Sequence, residues 1–515
     1  MNSSGRRAWI GLAVLALPTL LISLDMSVLY LALPHLSADL GADATQQLWI
    51  MDIYGFMIAG FLVTMGTLGD RIGRRRLLMF GAAAFSVASV LAAYSTSAEM
   101  LIATRAILGI AGATLMPSTL ALISNMFASA RERGLAIAVW ISCFMGGAAI
   151  GPVIGGALLE NFWWGSAFLL GVPVMVLLLV TGPFLLPEFR NEDAGRIDLV
   201  SVVLSLAAIL PVVYGLKQLA KDGWAWPAVA ALVAGVVVGV FFVRRQRVLP
   251  DPLLDLGMLK NRTFSGALGI WLLFGAIQGG SFLFVTLYLQ VVAGLSPMRA
   301  GLWLVPSALA MIVGSQLAPL LARRFRPGYV ISGGLGITAV GYLILTGLDA
   351  SGSLPTLVTG MIVALFGVGI AAALGTDLIV GSVSPAKAGS ASALSETGAE
   401  LGISLGVASL GSVTTAIYRS EITEAMPEDV PAGVAEAARE NAAGAAASAG
   451  ELPAAQAAEV LDAVREAFTS GLTSVMVLGA VLFAGLAVFA AISLRDAEPT
   501  AAQDAETPEK ELVSA

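Results

Sequence analysis

Six ionisable side chains stand where an apolar chain tolerates them least. Asp25, Asp52, Arg105, Asp377, Glu396 and Glu400 all fall inside long hydrophobic stretches. A charge enclosed by hydrocarbon is expensive, so each needs a partner or a task. Glu396 and Glu400 are four residues apart, which puts both carboxylates on one helix face. Two carboxylates on a dry face resist double ionisation, and burial favours the neutral acid. Such groups can load and release protons, and in the charged form they attract cations. By helix rise Glu400 lies roughly 13–15 Å from the start of its stretch, near mid-membrane. Glu396 lies closer to the surface, where water can reach it. Asp25 is either a third proton carrier or the partner of Arg105, which lies at a similar depth. Asp52 and Asp377 are further acidic candidates, each also placed to reach a membrane surface.

Rings on the same stretches suit a flat, lipophilic cation, which is drawn to an aromatic face. The candidates are Tyr30, Trp49, Tyr54, Trp140, Phe144, Trp271, Phe274, Phe282 and Phe284. Simple packing competes for every one of them. Metal chemistry and cysteine or histidine catalysis have no donor cluster, because Cys143 and His35 are the single residues of their types. The expectation is no metal, no cofactor and no enzyme.

Two further patterns concern movement. Gly147, Gly151, Pro152, Gly155 and Gly156 cluster in one stretch; the glycine spacing permits close helix contact and the proline bends the helix. That suits a pivot, with static packing as the alternative. A short turn reads Gly66-Thr67-Leu68-Gly69-Asp70-Arg71-Ile72-Gly73-Arg74-Arg75-Arg76. Its glycines allow a tight reversal. Asp70 is placed to cap the next helix or to pair with an arginine across the bundle, and the arginines suit carboxylates and anionic lipid.

The elements that must carry these residues follow from hydropathy. The chain has 515 residues, 57% hydrophobic and 12% charged, against about 25% charged for a soluble domain. The apolar residues form blocks near 8–33, 48–68, 77–95, 100–123, 134–159, 166–186, 198–216, 226–243, 264–290, 300–320, 329–347, 355–380, 391–417 and 470–493. Each is about the length a helix needs to cross hydrocarbon. In lipid the backbone must satisfy its own hydrogen bonds, so the blocks are helices, and the short alternating segments of a strand barrel are missing. Arg6 and Arg7 precede the first block in the manner of a signal peptide, but no cleavage pattern follows, so it reads as a retained helix.

With the N-terminus inside, 21 Lys and Arg fall on the inner side and six on the outer. This bias places both termini in the cytoplasm. Residues 420–468 form a long, alanine-rich outer segment with ten acidic residues, read as a partly helical hairpin or flap broken at Pro427, Pro431 and Pro453. Residues 496–515 read as a disordered cytoplasmic tail.

These patterns resemble the major facilitator superfamily, in particular its fourteen-helix drug:proton antiporters. The resemblance spans roughly residues 8–495. It is carried by Gly66-x-Leu68-x-Asp70-Arg71-x-Gly73-Arg74-Arg75, Arg105-x-x-x-Gly109-x-x-Gly112 and Gly147-x-x-x-Gly151-Pro152-x-x-Gly155-Gly156. Leu24-Asp25 through Leu33-Pro34, Trp49-x-x-Asp52-x-Tyr54 and the stretch Ser395 to Gly402 add to it. It implies an all-α polytopic membrane protein: a six-helix bundle at 8–187, two additional helices at 198–243, and a second six-helix bundle at 264–495. The turn 66–75 would act as a gating loop, and Arg105 as an ion-pair or coupling arginine. The implied function is export of quaternary ammonium compounds and dyes, extending to fluoroquinolones, driven by the proton gradient across a bacterial cytoplasmic membrane. The implied partners are lipophilic cations, protons and anionic lipids, with no nucleic acid, and the implied state is a monomer. The second-half counterpart of the gating turn, Leu321-Ala322-Arg323-Arg324-Phe325, lacks the Asp-Arg-x-Gly core, so the inner gate is expected to be asymmetric. The competing reading is a proton-coupled or facilitative carrier of a metabolite or lipid. A membrane enzyme or a channel is a more distant alternative.

Overall fold

The computed structural model describes residues 5–495, except 43, 128, 191–197, 223–224, 251, 385–386, 428–429, 441, 443–444, 446–447, 449 and 451. The tail at 496–515 and the side chains of Tyr30 and Pro152 lie outside the described residues. The helices are α1 (Arg6–Leu40), α2 (Ala44–Ile72), α3 (Arg74–Ala93), α4 (Ala98–Met126), α5 (Ala130–Asn161), α6 (Ser166–Leu169), α7 (Gly171–Leu185), α8 (Leu199–Asp222) and α9 (Trp226–Gln246). After a short 3₁₀ turn, Leu256–Lys260, come α10 (Arg262–Val291), α11 (Pro297–Ala322), α12 (Pro327–Leu345), α13 (Leu354–Gly381), α14 (Ala388–Ala425), α15 (Ala432–Glu440) and α16 (Ala454–Ser493).

Thirteen helical stretches among the described residues are long and apolar enough to cross a membrane. The fifth block of the sequence is α5, a helix of 32 residues between two of them. The starts follow local chemistry. Ser97, Ser129 and Ser296 accept from the backbone N–H groups of Met100, Glu132 and Arg299, and Asn261 accepts from Thr263 and Phe264. These bonds satisfy donors that a helix start leaves open. Pro297 and Pro327 occupy first helical positions, where a missing N–H costs nothing.

In the first half α1 packs on α5 and α7, and α4 on α2 and α3; in the second half α10 packs on α14 and α16, and α13 on α11 and α12. The halves meet along two seams. One joins α5 to α11 and α13, and the other joins α2 and α4 to α14. The additional pair α8–α9 lies beside the second seam, with α8 against both α2 and α14. Phe56 and Ala59 of α2, Val213 of α8 and Leu401 of α14 share one apolar cluster there. Helices alternate in direction, so α1, α3, α5, α8, α10, α12 and α14 begin on one face, called the near face below.

Several helices exceed the sequence expectation. The block at 391–417 is a helix of 38 residues and the last block a helix of 40. At 1.5 Å per residue each is about 57–60 Å long, nearly twice the hydrocarbon thickness. Residues 420–425 and 454–468 thus extend α14 and α16. The three prolines do interrupt helix: α14 stops before Pro427, α15 follows Pro431, and Pro453 precedes α16. The buried residues of α14 and α16 in this region, among them Tyr418, Ile422, Val460 and Val464, continue the main apolar core. Tyr418 Oη donates to Ala438 O at 2.7 Å, and Ser470 Oγ to Glu421 Oε1 at 2.5 Å.

Candidate functional site

The turn between α2 and α3 is reduced to one residue. Gly73 has φ 113°, a value that strains any side chain, and a Cβ there would press on the Glu188 carboxylate. Asp70 does not cap α3, contrary to one sequence reading. That task falls to Glu188, which accepts from Arg75 N at 3.0 Å and Arg76 N at 3.2 Å. Glu188 is 113 residues from Arg75, so no local pattern announced it. A carboxylate at a helix N-terminus meets both the open N–H groups and the positive dipole end.

Asp70 is free of the cap because it sits in the last turn of α2 and works between the halves. It pairs with Arg74, four residues on. Its other oxygen accepts from Ser390 N at 3.0 Å and Ser390 Oγ at 2.8 Å at the start of α14. Arg74 is 1% exposed, and its guanidinium lies where a Cβ on Gly389 would be. Gly66 likewise faces Ala393 and Gly389 closely, so both glycines let the helices meet. Arg71 donates to Pro252 O at 3.3 Å and Arg75 to Leu186 O at 3.0 Å.

A strap from the chain after α9 crosses this same spot. Thr67 Oγ1 donates to Leu253 O at 2.7 Å. Buried Gln246 accepts from Leu253 N at 2.7 Å and donates to Ser201 Oγ at 2.7 Å, holding the strap to α8. Asp255 pairs with Lys387, and Asn261 Nδ2 donates to Ser382 O at 3.2 Å. Arg245 donates to Asp198 at 2.7 Å and, with Ser201, holds that carboxyl well below its ordinary range. The strap therefore touches both halves and the additional helix pair.

The other seam is closed on the same face by different residues. Arg133 Nε, in the first turn of α5, donates to Asp377 Oδ1 at 2.7 Å near the end of α13. Ser142 and Ser315 share a hydrogen bond at 3.0 Å, and Gln316 Nε2 donates to Ser142 Oγ at 2.9 Å. Asp377 thus has a basic partner from the other half, which the sequence did not indicate. On α5, Gly147 lies against the Leu20 backbone of α1, Gly151 and Gly155 are buried, and Gly156 faces Met298 of α11. The glycine-rich helix is in contact with both halves.

Deeper, Asp25 and Arg105 meet. Arg105 Nη1 is 3.6 Å from Asp25 Oδ2, and Arg105 Nε donates to Ile50 O at 2.7 Å. The guanidinium is 5.0 Å from the centroid of the Tyr54 ring. Asp25 and Glu400 both lie within electrostatic range of the Tyr54 hydroxyl, and Glu396 within range of Glu400. Glu396, Glu400 and Asp52 are half-buried. The structure therefore brings Asp25, Arg105, Tyr54 and Glu400 to one region, with Glu396 one turn away along α14.

The aromatic candidates divide. Trp271 stacks parallel on Phe274, 5.1 Å between centroids and 4° between planes, and buried Trp271 Nε1 has no hydrogen-bond partner among the described residues. Trp140 donates to Thr119 Oγ1 at 3.1 Å inside the first half, and Phe284 packs on Phe468 inside the second. Those two are core residues. Trp49 and Phe282 are exposed and Phe144 is half-buried. Among the described residues no group of His, Cys, Asp and Glu could hold a metal ion.

Long apolar helices in two packed halves, with ion pairs spanning the seams, define a multi-pass membrane transporter. The chain belongs to the major facilitator superfamily, whose family model matches residues 15–407. It is 46% identical to the multidrug efflux pump LfrA of Mycolicibacterium smegmatis, over 95% of this chain and 97% of that one. It is 34% identical to the methyl viologen resistance protein SmvA of Salmonella typhimurium, over 90% and 93%. Similarity to the tetracenomycin C resistance and export protein of Streptomyces glaucescens is 32% over 96% and 93%. The crystal structure of the human organic anion transporter MFSD10 shares the fold, with a TM-score of 0.58 at 16% identity, covering 94% of this chain and all of that one. Membership assigns transport rather than catalysis, and the bacterial relatives assign a general role in efflux.

Proposed function

We propose that this protein exports lipophilic cations, chiefly quaternary ammonium compounds and dyes and also fluoroquinolones, in exchange for protons entering down their gradient. The observation that carries this reading is the convergence of Asp25, Glu400 and Glu396 from two halves of the bundle, inside helices that span the membrane. Full-length similarity to a multidrug efflux pump and a methyl viologen resistance protein supports it, since methyl viologen is itself a flat dication.

On this reading the cation pairs with a deprotonated carboxylate, the 8–187 and 264–495 bundles rock about the midplane, and protonation from the outer side weakens the pairing and releases the cargo. The glycine-rich face of α5 is the pivot, and Asp70, Arg74 and Ser390 form part of the gate. The near face is read as the cytoplasmic one, which the excess of basic residues on that side supports, 21 against six. The protein works as a monomer among anionic lipids in the bacterial cytoplasmic membrane, with residues 420–468 outside.

The test is dye transport by reconstituted vesicles with the pH gradient and the voltage set independently, repeated with Glu400→Gln. Uptake driven by the pH gradient in the wild type, and reduced at least tenfold in the variant, is the expected result. Gradient-independent dye movement in both would overturn the exchange and leave a facilitative carrier.

A further inference from the structure

Three buried polar atoms lie together with no hydrogen-bond partner among the described residues: Asp25 Oδ2, Arg105 Nη1 and Tyr54 Oη. Leaving such an atom unpaired is costly, so each one calls for an explanation. The tyrosine is the informative member. Tyr54 is 1% exposed, and phenylalanine would fill the same space without an unsatisfied hydroxyl. Its ring is fixed from one side by the Arg105 guanidinium at 5.0 Å. On the other, Gly112 leaves room for the hydroxyl, since a Cβ there would sit 3.2 Å from it. The charged groups acting on it come from three helices: Asp25 of α1, Arg105 of α4 and Glu400 of α14. Asp25 and Arg105 belong to the first half and Glu400 to the second. Asp52, two residues away on α2, is half-buried and has interactions of its own.

We infer that the Tyr54 hydroxyl is a shared donor that bonds whichever of Asp25 and Glu400 is deprotonated, and so transmits the protonation state of one half to the other. The inference rests on the proton-exchange reading and names a positioning residue within it. A hydroxyl can donate only one hydrogen. When Glu400 holds a proton the donor is released to Asp25, and when Glu400 is charged Asp25 loses it and relies on Arg105 alone. The only covalent change is the carboxyl O–H bond formed or broken as an acid exchanges a proton with solvent; the tyrosine keeps its own hydrogen throughout.

The experiment measures binding of ethidium to purified protein as a function of pH, together with pH-driven ethidium transport in vesicles, for the wild type, Tyr54→Phe and Gly112→Ala. Removing a donor that stabilises a carboxylate favours the protonated form, so the pH midpoint for ethidium binding is expected to move up by about one unit in Tyr54→Phe. Gly112→Ala, which displaces the hydroxyl without deleting it, moves the midpoint the same way. Melting temperature checks that both variants fold. A lower transport rate with an unmoved midpoint in both variants means that the tyrosine only packs, and overturns the inference. A wild type without any pH midpoint overturns the proton-exchange reading and this inference with it, whereas a wild-type midpoint with unshifted variants overturns this inference alone.

Discussion

Arg133 Nε donates to Asp377 Oδ1 at 2.7 Å, a bond between residues 244 positions apart that ties the first turn of α5 to the end of α13. It stands on the seam opposite the one closed by Asp70 and Ser390. The second-half turn at 321–325 lacks the acidic residue that Asp70 supplies in the first half. The near face is nevertheless closed on both seams, on one by Arg133 of the first half with Asp377 of the second, and on the other by Asp70 of the first half with Ser390 of the second.

Breaking that bond should favour opening of the near face. A hydrogen bond between charged groups contributes about 1.5–3 kcal/mol, so Arg133→Ala should shift the equilibrium by about tenfold or more. The single cysteine, Cys143, lies half-buried on the same helix and reports the change directly. Its labelling by a membrane-impermeant maleimide from the near face should accelerate in Arg133→Ala and return towards the wild-type rate in the charge-reversed pair Arg133→Asp with Asp377→Arg. Equal rates in all three would show that the pair does not restrain the gate.

Gly389 should tolerate no side chain. The Arg74 guanidinium occupies the space of its Cβ, so Gly389→Ala must displace a buried charge from Asp70. Loss of one side of a buried pair costs about 3–5 kcal/mol. The expected outcome is a melting temperature several degrees lower and transport reduced more than tenfold. Ser390→Ala, which removes one neutral donor and leaves the backbone N–H in place, should cost about 1 kcal/mol. Melting curves and dye transport of the two variants compare them.

The Asp255–Lys387 contact should contribute no pH dependence under working conditions. The Lys387 hydrogen bond holds the Asp255 carboxyl below its usual range. A carboxyl lowered by folding stabilises the fold above its unfolded value, about 3.9, and the contribution disappears as pH falls through the lowered folded value. Between about pH 5 and 8 it is constant. The pair is partly exposed and worth about 0–1 kcal/mol, so Lys387→Ala should change transport by at most about fivefold, equally across that window. A moved pH optimum in this variant would contradict the assignment.

Trp271 should favour flat cargo. One face of its ring stacks on buried Phe274, which holds the indole in a fixed orientation. Trp271→Ala should weaken apparent ethidium affinity by about tenfold, while a tetraalkylammonium ion, which cannot stack, loses less. Trp271→Phe should keep most of the ethidium affinity. Concentration dependence of export for both cations reads the difference.

Much of this was legible in the residues alone. Apolar runs of membrane length, with few charges among them, require helices that cross hydrocarbon, and that requirement is local. The buried acids, the arginine at 105 and the turn at 66–76 stand out because their cost in lipid is also local. The partners were not legible. Glu188 reaches Arg75 across 113 residues, Leu253 reaches Thr67 across 186, and Arg133 reaches Asp377 across 244. A membrane helix that is apolar on nearly every side carries little information about which side faces its neighbours. Its rotation is set by packing against other helices, at contacts such as Gly66 on Gly389 and Gly147 on Leu20. Only when those rotations are fixed together do Asp25 of α1 and Arg105 of α4 meet, with the Tyr54 ring of α2 against the guanidinium.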